Sequence, residues 1–262
     1  MCIRDSNAVA NIYQNGTLIR SIDLESVEES YTFTTVSYTH LGGKFMGTNE
    51  QIVLREFQKS DRLVLENIVR ETWKYDRFCT PKIAKKMSKV YLNSCLTNQT
   101  FTRVAEMDGV PIGVIMGKDI RNHKCPLSMR LAWLRSVLGL LITREGREIS
   151  KIFDCVQGID KELILRCKKE YQGELAFFAI SEKCRGKGLG RKLFQTVVDY
   201  MNAQKISEFY LFTDTSCNYL FYEHLGMKRC GEKKQIIHTH AEDSDMTFFI
   251  YEYQINPGEK TG

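Results

Sequence analysis

The stretch Glu174-Leu-Ala-Phe-Phe-Ala-Ile-Ser-Glu-Lys-Cys-Arg-Gly-Lys-Gly-Leu-Gly-Arg-Lys-Leu193 decides the fold of this chain. It begins with an apolar run that is typical of a buried strand, and from Gly188 onward the apolar side chains follow the spacing of a helix. Between the two lies the glycine-rich turn Arg185-Gly-Lys-Gly-Leu-Gly190. Such a turn leaves backbone N–H groups unpaired at the start of the helix, and these groups and the helix dipole favour a phosphate. The stretch therefore predicts an anion site between a strand and a helix.

The spacing of the glycines separates the families that bind phosphate in this way. A Walker loop has Ser or Thr after its Lys, whereas Gly190 is followed by Arg191 and Lys192. A dinucleotide fingerprint requires G-x-G-x-x-G and an acidic residue on the next strand, and this pattern is not met either. The pattern that matches is Arg/Gln-x-x-Gly-x-Gly, through Arg185, Gly188 and Gly190.

Two motifs in the same order carry a family resemblance. The loop 185–190 resembles the pyrophosphate loop of the GCN5-related N-acetyltransferase (GNAT) superfamily, and Tyr222-Glu-His-Leu-Gly226 resembles its second signature, with Met227 where the family has Phe. The resemblance covers approximately residues 46–255. It implies an α/β (α+β) fold with a central mixed, mostly antiparallel sheet of about seven strands flanked by helices.

Residues 1–45 differ from the rest of the chain. Asn11-Ile-Tyr-Gln14 and Thr17-Leu-Ile-Arg-Ser-Ile22, separated by Asn15-Gly16, predict a β-hairpin. The strings Met1-Cys-Ile-Arg-Asp-Ser6 and Val36-Ser-Tyr-Thr-His-Leu41 resemble translated sequencing adapters. We therefore predict that residues 1–45 are an artefactual or appended segment and that the transferase domain spans residues 46–255; a genuine N-terminal extension is the alternative. Residues 256–262 are predicted to be a disordered tail.

The segment from Met46 to the glycine-rich loop predicts a strand at Ile52–Phe57, two helices and a two-stranded hairpin. The first helix begins after Ser60 or Asp61 as its cap, and the second spans Pro81–Leu96. Residues 120–172 form a long insertion with helical apolar spacing, which we expect to pack over the acceptor side as a lid or wall. Because arginines accompany the apolar stripe, a membrane surface or a partner helix is the alternative.

The composition excludes several classes of function. The 262 residues are 43% hydrophobic and carry a net charge of +5 that is not concentrated in one block, which argues against a nucleic-acid partner. Nine cysteines without a C-x-x-C pair, and no visible secretory signal, indicate a reducing, cytoplasmic setting. No apolar run approaches the ~20 residues that span a bilayer, so no membrane role is expected. His238-Thr-His240 lacks ligand partners at metal spacing, so no metal is expected.

The resemblance implies an N-acetyltransferase that moves the acetyl group of acetyl-coenzyme A to an amine by direct attack on the thioester. The loop would hold the pyrophosphate through backbone amides, the strand end would run beside the pantetheine arm, and Asn218 would bond the pantetheine or cap its own helix. The implied cofactor-binding residues are Phe178, Ala179, Ile180, Arg185, Gly186, Lys187, Gly188, Leu189, Gly190, Arg191 and Asn218.

Two residues are the candidates for proton transfer. An alkylammonium of pKa ~10.4 needs a proton acceptor near neutral pH, and Glu174 at the mouth of the strand matches the family's catalytic glutamate. Tyr222 would protonate the departing thiolate, because a phenol of pKa ~10 stays protonated until that point. The alternative to the catalytic role is an exposed carboxylate at the strand end for Glu174 and a core side chain for Tyr222. Acidic residues between the last two strands would attract a cationic amine or simply lie in a solvated turn: Glu242, Asp243 and Asp245.

A non-catalytic acyl-coenzyme A binding or sensing module is the competing function. The expected partners of the domain are acetyl-coenzyme A and an amine acceptor, with a homodimer as one possible assembly. Cys184 and Cys217 flank the predicted site and are candidates for modification by thiol reagents.

Overall fold

The computed structural model describes residues 51–238 and 243–255, and the backbone of residues 9–14 and 17–23. The chain divides into two units, Met1–Asn49 and Glu50–Gly262. In the first unit β1 (Val9–Gln14) pairs antiparallel with β2 (Thr17–Asp23), which confirms the predicted strand pair. The Asn15-Gly16 turn, the adapter-like strings, residues 239–242 and the tail 256–262 lie outside the described residues.

The second unit is built on one seven-stranded sheet. In chain order its strands are β3 (Ile52–Arg55), β4 (Phe101–Met107), β5 (Val110–Asp119), β6 (Gly173–Ile180), β7 (Glu208–Asp214), β8 (Lys228–His238) and β9 (Asp243–Gln254). They lie in the order β3-β4-β5-β6-β7-β9-β8, and every neighbouring pair is antiparallel except β6 and β7. The predicted mixed, mostly antiparallel sheet is confirmed.

Helices cover both faces of this sheet. They are α1 (Arg62–Thr72), α2 (Pro81–Thr97), α3 (Leu127–Leu141), α4 (Arg144–Arg166), α5 (Leu189–Ala203) and α6 (Leu220–His224). On one face, Leu65 of α1 and Leu92 of α2 are fully buried against the sheet. On the other, Leu193 and Val197 of α5 are fully buried. Each such leucine or valine stabilises the fold by about 1.5–3 kcal/mol, so the sheet has a core on both sides.

The start of α1 differs from the prediction. Asp61 does not cap α1 with its side chain. Its carboxylate instead accepts hydrogen bonds from the guanidinium of Arg55 at 2.8 Å and from the backbone N–H of Gln58 at 2.7 Å. The bond from Gln58 closes the turn before the helix, and the bonds from Arg55 tie the start of α1 to the edge strand β3.

The insertion 120–172 is helical, as predicted, and contains α3 and α4. Thr143 caps α4 by accepting a hydrogen bond from the backbone N–H of Gly146 at 3.1 Å. The inner side of α4, including Ile159 and Leu163, packs against β8 and β9. None of the helices described within residues 51–255 is both long enough and apolar enough to cross a membrane.

We predict that a chain starting at Met46 folds like the full chain, because every strand and helix of the seven-stranded unit lies after that residue. Thermal unfolding and far-ultraviolet circular dichroism of the two chains should agree, with a change in stability within about 0.5 kcal/mol. Loss of cooperative unfolding in the shorter chain would show that residues 1–45 belong to the domain.

Candidate functional site

The site begins where β6 and β7 part. These parallel strands pair at only two positions, Gly173 with Phe209 and Glu174 with Tyr210. Beyond that point β6 remains paired with β5, and β7 remains paired with β9. A cavity of about 270 Å³ opens between the two strands and is lined by Leu175–Phe178 of β6 and Leu211–Asp214 of β7.

A β-bulge at Ala176 accompanies this parting. Phe177 is opposite Met116 and Leu175 is opposite Gly117, so Ala176 is the extra residue. A bulge of one residue exchanges the two faces of the strand that follows it. Leu175 accordingly packs on the α5 side, whereas Phe177 packs on the side of α1 and α2.

The glycine-rich loop joins β6 to α5. Gly186 and Gly188 have φ values of +82° and +74°, a left-handed conformation that glycine adopts without strain. The first hydrogen bond at the start of α5 runs from the N–H of Lys192 to the carbonyl of Gly188, so the N–H groups of the first turn have no partner within the helix. The side chain of Arg185 donates to the carbonyl of Ile180 at 3.2 Å and holds the loop against the end of β6.

Gly190 allows α6 to approach α5 closely. A Cβ atom at this position would lie 2.9 Å from the ring of Phe221 and 3.7 Å from Ile180. The same ring packs against Phe178 with their centroids 5.7 Å apart. Phe221 therefore connects the loop, the end of β6 and the helix that carries Tyr222.

Tyr222 lines the cavity from α6. Its hydroxyl has no hydrogen-bond partner among the residues that the structure describes, and burial raises the pKa of this phenol further above its ordinary value. The neighbouring Glu223 accepts hydrogen bonds from Arg229 at 2.6 Å and from the hydroxyl of Tyr251 at 2.7 Å. This anchor, together with Gly226 at φ +85°, fixes α6 and hence the direction of Tyr222.

Glu174 lies beside the cavity rather than in it. Together with Asn98 and Tyr210 it lines an adjoining, more open recess on the α2 side of the sheet. Its carboxylate is 3.7 Å from the ammonium of Lys118 and 3.4 Å from the amide nitrogen of Asn98. Burial raises the pKa of Glu174, and Lys118, Asn98 and Tyr210 oppose that rise.

The acetyltransferase (GNAT) family model matches residues 65–227, which is more than half of the chain. The chain belongs to the GNAT family.

Solved structures similar to this GNAT chain include an N-acetyltransferase from Staphylococcus aureus Mu50, with 12% identity, a TM-score of 0.47, and coverage of 79% of this chain and 99% of that one. The ribosomal-protein-alanine N-acetyltransferase from Brucella melitensis has 13% identity and a TM-score of 0.46 over 77% and 99% of the two chains. PaiA N-acetyltransferase from Thermoplasma acidophilum, in complex with coenzyme A, has 16% identity and a TM-score of 0.43 over 78% and 99%. No protein of curated function matches the sequence.

Several predicted site residues are brought together in this GNAT domain. Phe178 and Tyr222 line the cavity, Ile180 lies beside Gly190, and residues 185–191 form the loop and the first turn of α5. Ala179 is buried in the core beside α1 and α2 and is not among the residues that line the cavity. Met227, at the family's phenylalanine position, is buried in the core beside α5.

Asn218 does not cap α6 with its side chain. Helix α6 begins at Leu220, and the backbone N–H groups of Ser216 and Cys217 bond to Asp214 in the turn that precedes it. The carbonyl of Asn218, not its amide, accepts the bond from Phe221, and its side chain is exposed. A contact between Asn218 and pantetheine stays a prediction.

The other predicted candidates are two cysteines and a group of histidines and acidic residues near the last two strands. Burial raises the pKa of the Cys217 thiol to about 12, which disfavours the reactive thiolate, and the side chain of Cys184 is buried and therefore shielded from thiol reagents. Among described residues no group of His, Cys, Asp and Glu has the arrangement of a metal site. His240 and Glu242 fall outside the described residues, as does the side chain of His238, whereas Asp245 is exposed on β9.

Two carboxylates that sequence reasoning missed line the cavity. Asp160 comes from α4 and Asp214 from the end of β7. Burial raises the pKa of Asp160 to about 7, and the nearby negative charges of Glu174 and Asp214 contribute to that rise. Burial also raises the pKa of Asp214, and its hydrogen bonds from Ser216 oppose that rise. The only signal for Asp160 in the sequence was its place among the apolar residues of the insertion.

The left-handed conformation of Gly188 gives a test of the loop. Gly109, in the β4–β5 turn, has nearly the same φ of +78°, and a Cβ atom at either glycine would meet open space. We predict that Gly188→Ala and Gly109→Ala each cost about 1–2 kcal/mol of unfolding free energy, through the same backbone strain. Only Gly188→Ala should weaken binding of coenzyme A, measured by calorimetry. Equal affinities in the two variants would remove the loop from the binding site.

The raised pKa of Asp160 gives a test of its burial. The folded protein holds this proton up to about pH 7, whereas an unfolded chain releases it near pH ~4, so stability is lost as the pH rises between these values. Asp160→Asn cannot ionise and should be more stable than the unaltered protein at about pH 8, by on the order of 1–3 kcal/mol after solvent screening. At about pH 4 the two should be similar.

The control is Asp154→Asn, because Asp154 is an exposed carboxylate on the same helix. It should change the unfolding free energy by less than about 0.5 kcal/mol at either pH. A pH-independent effect of Asp160→Asn would show that this carboxylate is ionised in the fold.

Proposed function

We propose that this GNAT domain is an acetyl-coenzyme A-dependent N-acetyltransferase in which the amine attacks the thioester directly. The observation that carries the proposal is the parting of β6 and β7 between the N-terminus of α5 and the phenol of Tyr222. A phosphate-binding turn, a slot between strands and an acid in the same cleft are what this reaction requires.

The loop would hold the pyrophosphate. Its glycines let the backbone approach phosphate oxygens, and the N–H groups of the first turn of α5 point towards an anion at the helix start. The cations Arg185, Lys187 and Arg191 add positive charge around this turn. In this proposal Arg185 acts mainly by fixing the loop, because its guanidinium bonds to the carbonyl of Ile180.

The free edge of β6 would receive the pantetheine arm and the thioester. Residues 175–180 are paired with β5 on one side and have left β7 on the other. Backbone N–H groups on such an edge are fixed in place before the substrate arrives, so they stabilise the oxyanion of the tetrahedral intermediate without reorganisation. The bulge at Ala176 directs this edge towards the cavity.

Glu174 is proposed as the acceptor of the amine's proton. Its raised pKa brings the carboxylate closer to the operating pH, which favours proton transfer in both directions. Because Glu174 lines the adjoining recess, the proton would reach it through water rather than by direct contact.

Tyr222 is proposed as the acid that completes the reaction. When the C–S bond breaks, the thiolate would take the proton of this phenol, while the new N–C bond retains the acetyl group. A half-buried phenol with a raised pKa is fully protonated at neutral pH and is ready to donate. The free hydroxyl in the cavity is consistent with this role.

We further propose that the domain works in a reducing, cytoplasmic compartment and without a nucleic-acid or membrane partner. The eight described cysteines are all free thiols, including some that are exposed. Such thiols persist where glutathione and thioredoxin keep them reduced.

Replacement of Tyr222 tests this assignment. Tyr222→Phe should lower kcat by about 100-fold, because general acid catalysis contributes at least that factor, and should leave the affinity for coenzyme A nearly unchanged. The measurement is free-thiol release from acetyl-coenzyme A with a panel of amines, beside calorimetry with coenzyme A.

The matched control is Tyr219→Phe. Tyr219 precedes α6 and packs on Phe249, outside the cavity lining. It should retain kcat within about twofold. An unchanged kcat in Tyr222→Phe would refute the acid role, and tight coenzyme A binding without thiol release from any amine would favour the sensing module.

A further inference from the structure

The cavity between β6 and β7 is apolar and aromatic. Trp73 and Tyr91 line it from the α1 and α2 side, Phe177 from β6, Phe212 from β7 and Phe153 from α4. The rings of Trp73, Tyr91 and Phe177 pack on one another with centroids 4.8–5.9 Å apart. This cluster is a rigid wall that suits a flat apolar group.

The charges of the cavity all have one sign. Asp160 and Asp214 line it, and no Lys, Arg or His is among the described residues that do so. A cleft lined by negative charge and low-dielectric walls concentrates cations. The chemistry of this lining therefore favours a ligand with one positive charge and an apolar body.

Of the nearby carboxylates, Asp160 is the one without a partner. Glu174 is paired with Lys118, and Asp214 accepts a hydrogen bond from the backbone N–H of Ser216 at 2.7 Å. Asp160 makes no hydrogen bond or ion pair with any described residue, although it is half-buried and lines both the cavity and the recess of Glu174. A half-buried carboxylate without a partner is stabilised when a bound ligand places a positive charge beside it.

The volume limits the size of that ligand. An apolar cavity of about 150 Å³ is enough for benzene, and this one measures about 270 Å³. It has room for one aromatic ring and a short chain that reaches Asp160. A polyamine or a protein chain would extend beyond it.

We infer that the acceptor is a small primary amine carried on an aromatic or similarly bulky apolar body, with its ammonium group bound by Asp160 of the inserted helix α4. This inference rests on the proposed acetyltransferase function and names the substrate class of the same site. Asp160 is a specificity-determining residue here, and the proton transfers remain with Glu174 and Tyr222.

The competing occupant is a long acyl chain of the thioester itself. An acyl tail brings neither a charge nor a hydrogen-bonding group, so it would leave the carboxyl of Asp160, protonated or ionised, without a partner in an apolar site, which is unfavourable. The carboxylate thus distinguishes an acceptor pocket from an acyl pocket.

The test is calorimetric titration of the full chain saturated with coenzyme A. The probes are phenethylamine, 2-phenylethanol, which has the same length but lacks the charge, and n-butylamine, which lacks the ring. Phenethylamine should bind at least about tenfold more tightly than either matched compound. Equal binding of the alcohol, or preference for hexanoyl- over acetyl-coenzyme A without any amine binding, would overturn the inference.

Variants on α4 locate the ammonium. Asp160→Asn should weaken phenethylamine binding by about 10- to 100-fold, because a hydrogen bond between charged groups is lost, and should leave the alcohol unaffected. Asp154→Asn, on the exposed side of the same helix, should not change either. An Asp160→Asn variant that binds phenethylamine as the unaltered protein does would refute the role of this residue.

A second pair of variants tests the cavity itself and does not depend on charge. Val156→Trp fills the cavity from its wall and should abolish phenethylamine binding, whereas Cys155→Trp, on the exposed neighbouring position, should not. Undiminished binding in Val156→Trp would place the amine elsewhere.

Turnover separates this inference from the function on which it rests. Thiol release with n-butylamine or spermidine, but not with phenethylamine, would refute the substrate class and keep the acetyltransferase. Phenethylamine binding that depends on Asp160, without thiol release from acetyl-coenzyme A, would refute the transferase and keep the amine site.

Discussion

The structure depends on the early separation of two parallel strands. After two paired residues β6 and β7 diverge, and each continues with a partner on one side only. A backbone edge inside a domain has N–H and carbonyl groups that need partners, so an open gap in the middle of a sheet is costly unless water or a ligand satisfies it. The rest of the domain closes this gap from three sides, with the α1 and α2 side, α6, and the inserted helix α4.

The two family motifs are joined through one side chain. Phe221 packs on Gly190 at the start of α5 and on Phe178 of β6, so the glycine-rich turn and the helix of Tyr222 share a contact. Glu223, held by Arg229 and Tyr251, fixes the same helix from its outer side. Because packed side chains deform little, the distance between the loop and the phenol is set by the core and not by the ligand.

Local patterns predicted most of the fold and only part of the site. The glycine-rich turn, the buried strand before it and Tyr222 are recognisable because turn chemistry, strand propensity and a short motif act within a few residues. Asp160 has no such local signal. It follows Val156 and Ile159 on an amphipathic helix, where a single aspartate usually faces solvent, and only the parting of two distant strands makes its surroundings a cavity.

The bulge at Ala176 sets the side of the sheet on which Glu174 lies relative to the residues that follow it. In a regular strand residues four apart face the same side, so Glu174 would lie on the same side as Phe178. The bulge places Glu174 instead on the α2 side, where Lys118 and Asn98 satisfy it. The negative charge next to the aromatic wall then comes from Asp160 on α4 and from Asp214 at the end of β7. The insertion is therefore part of the site, because it supplies both a wall of the cleft and the carboxylate that has no partner within the described fold.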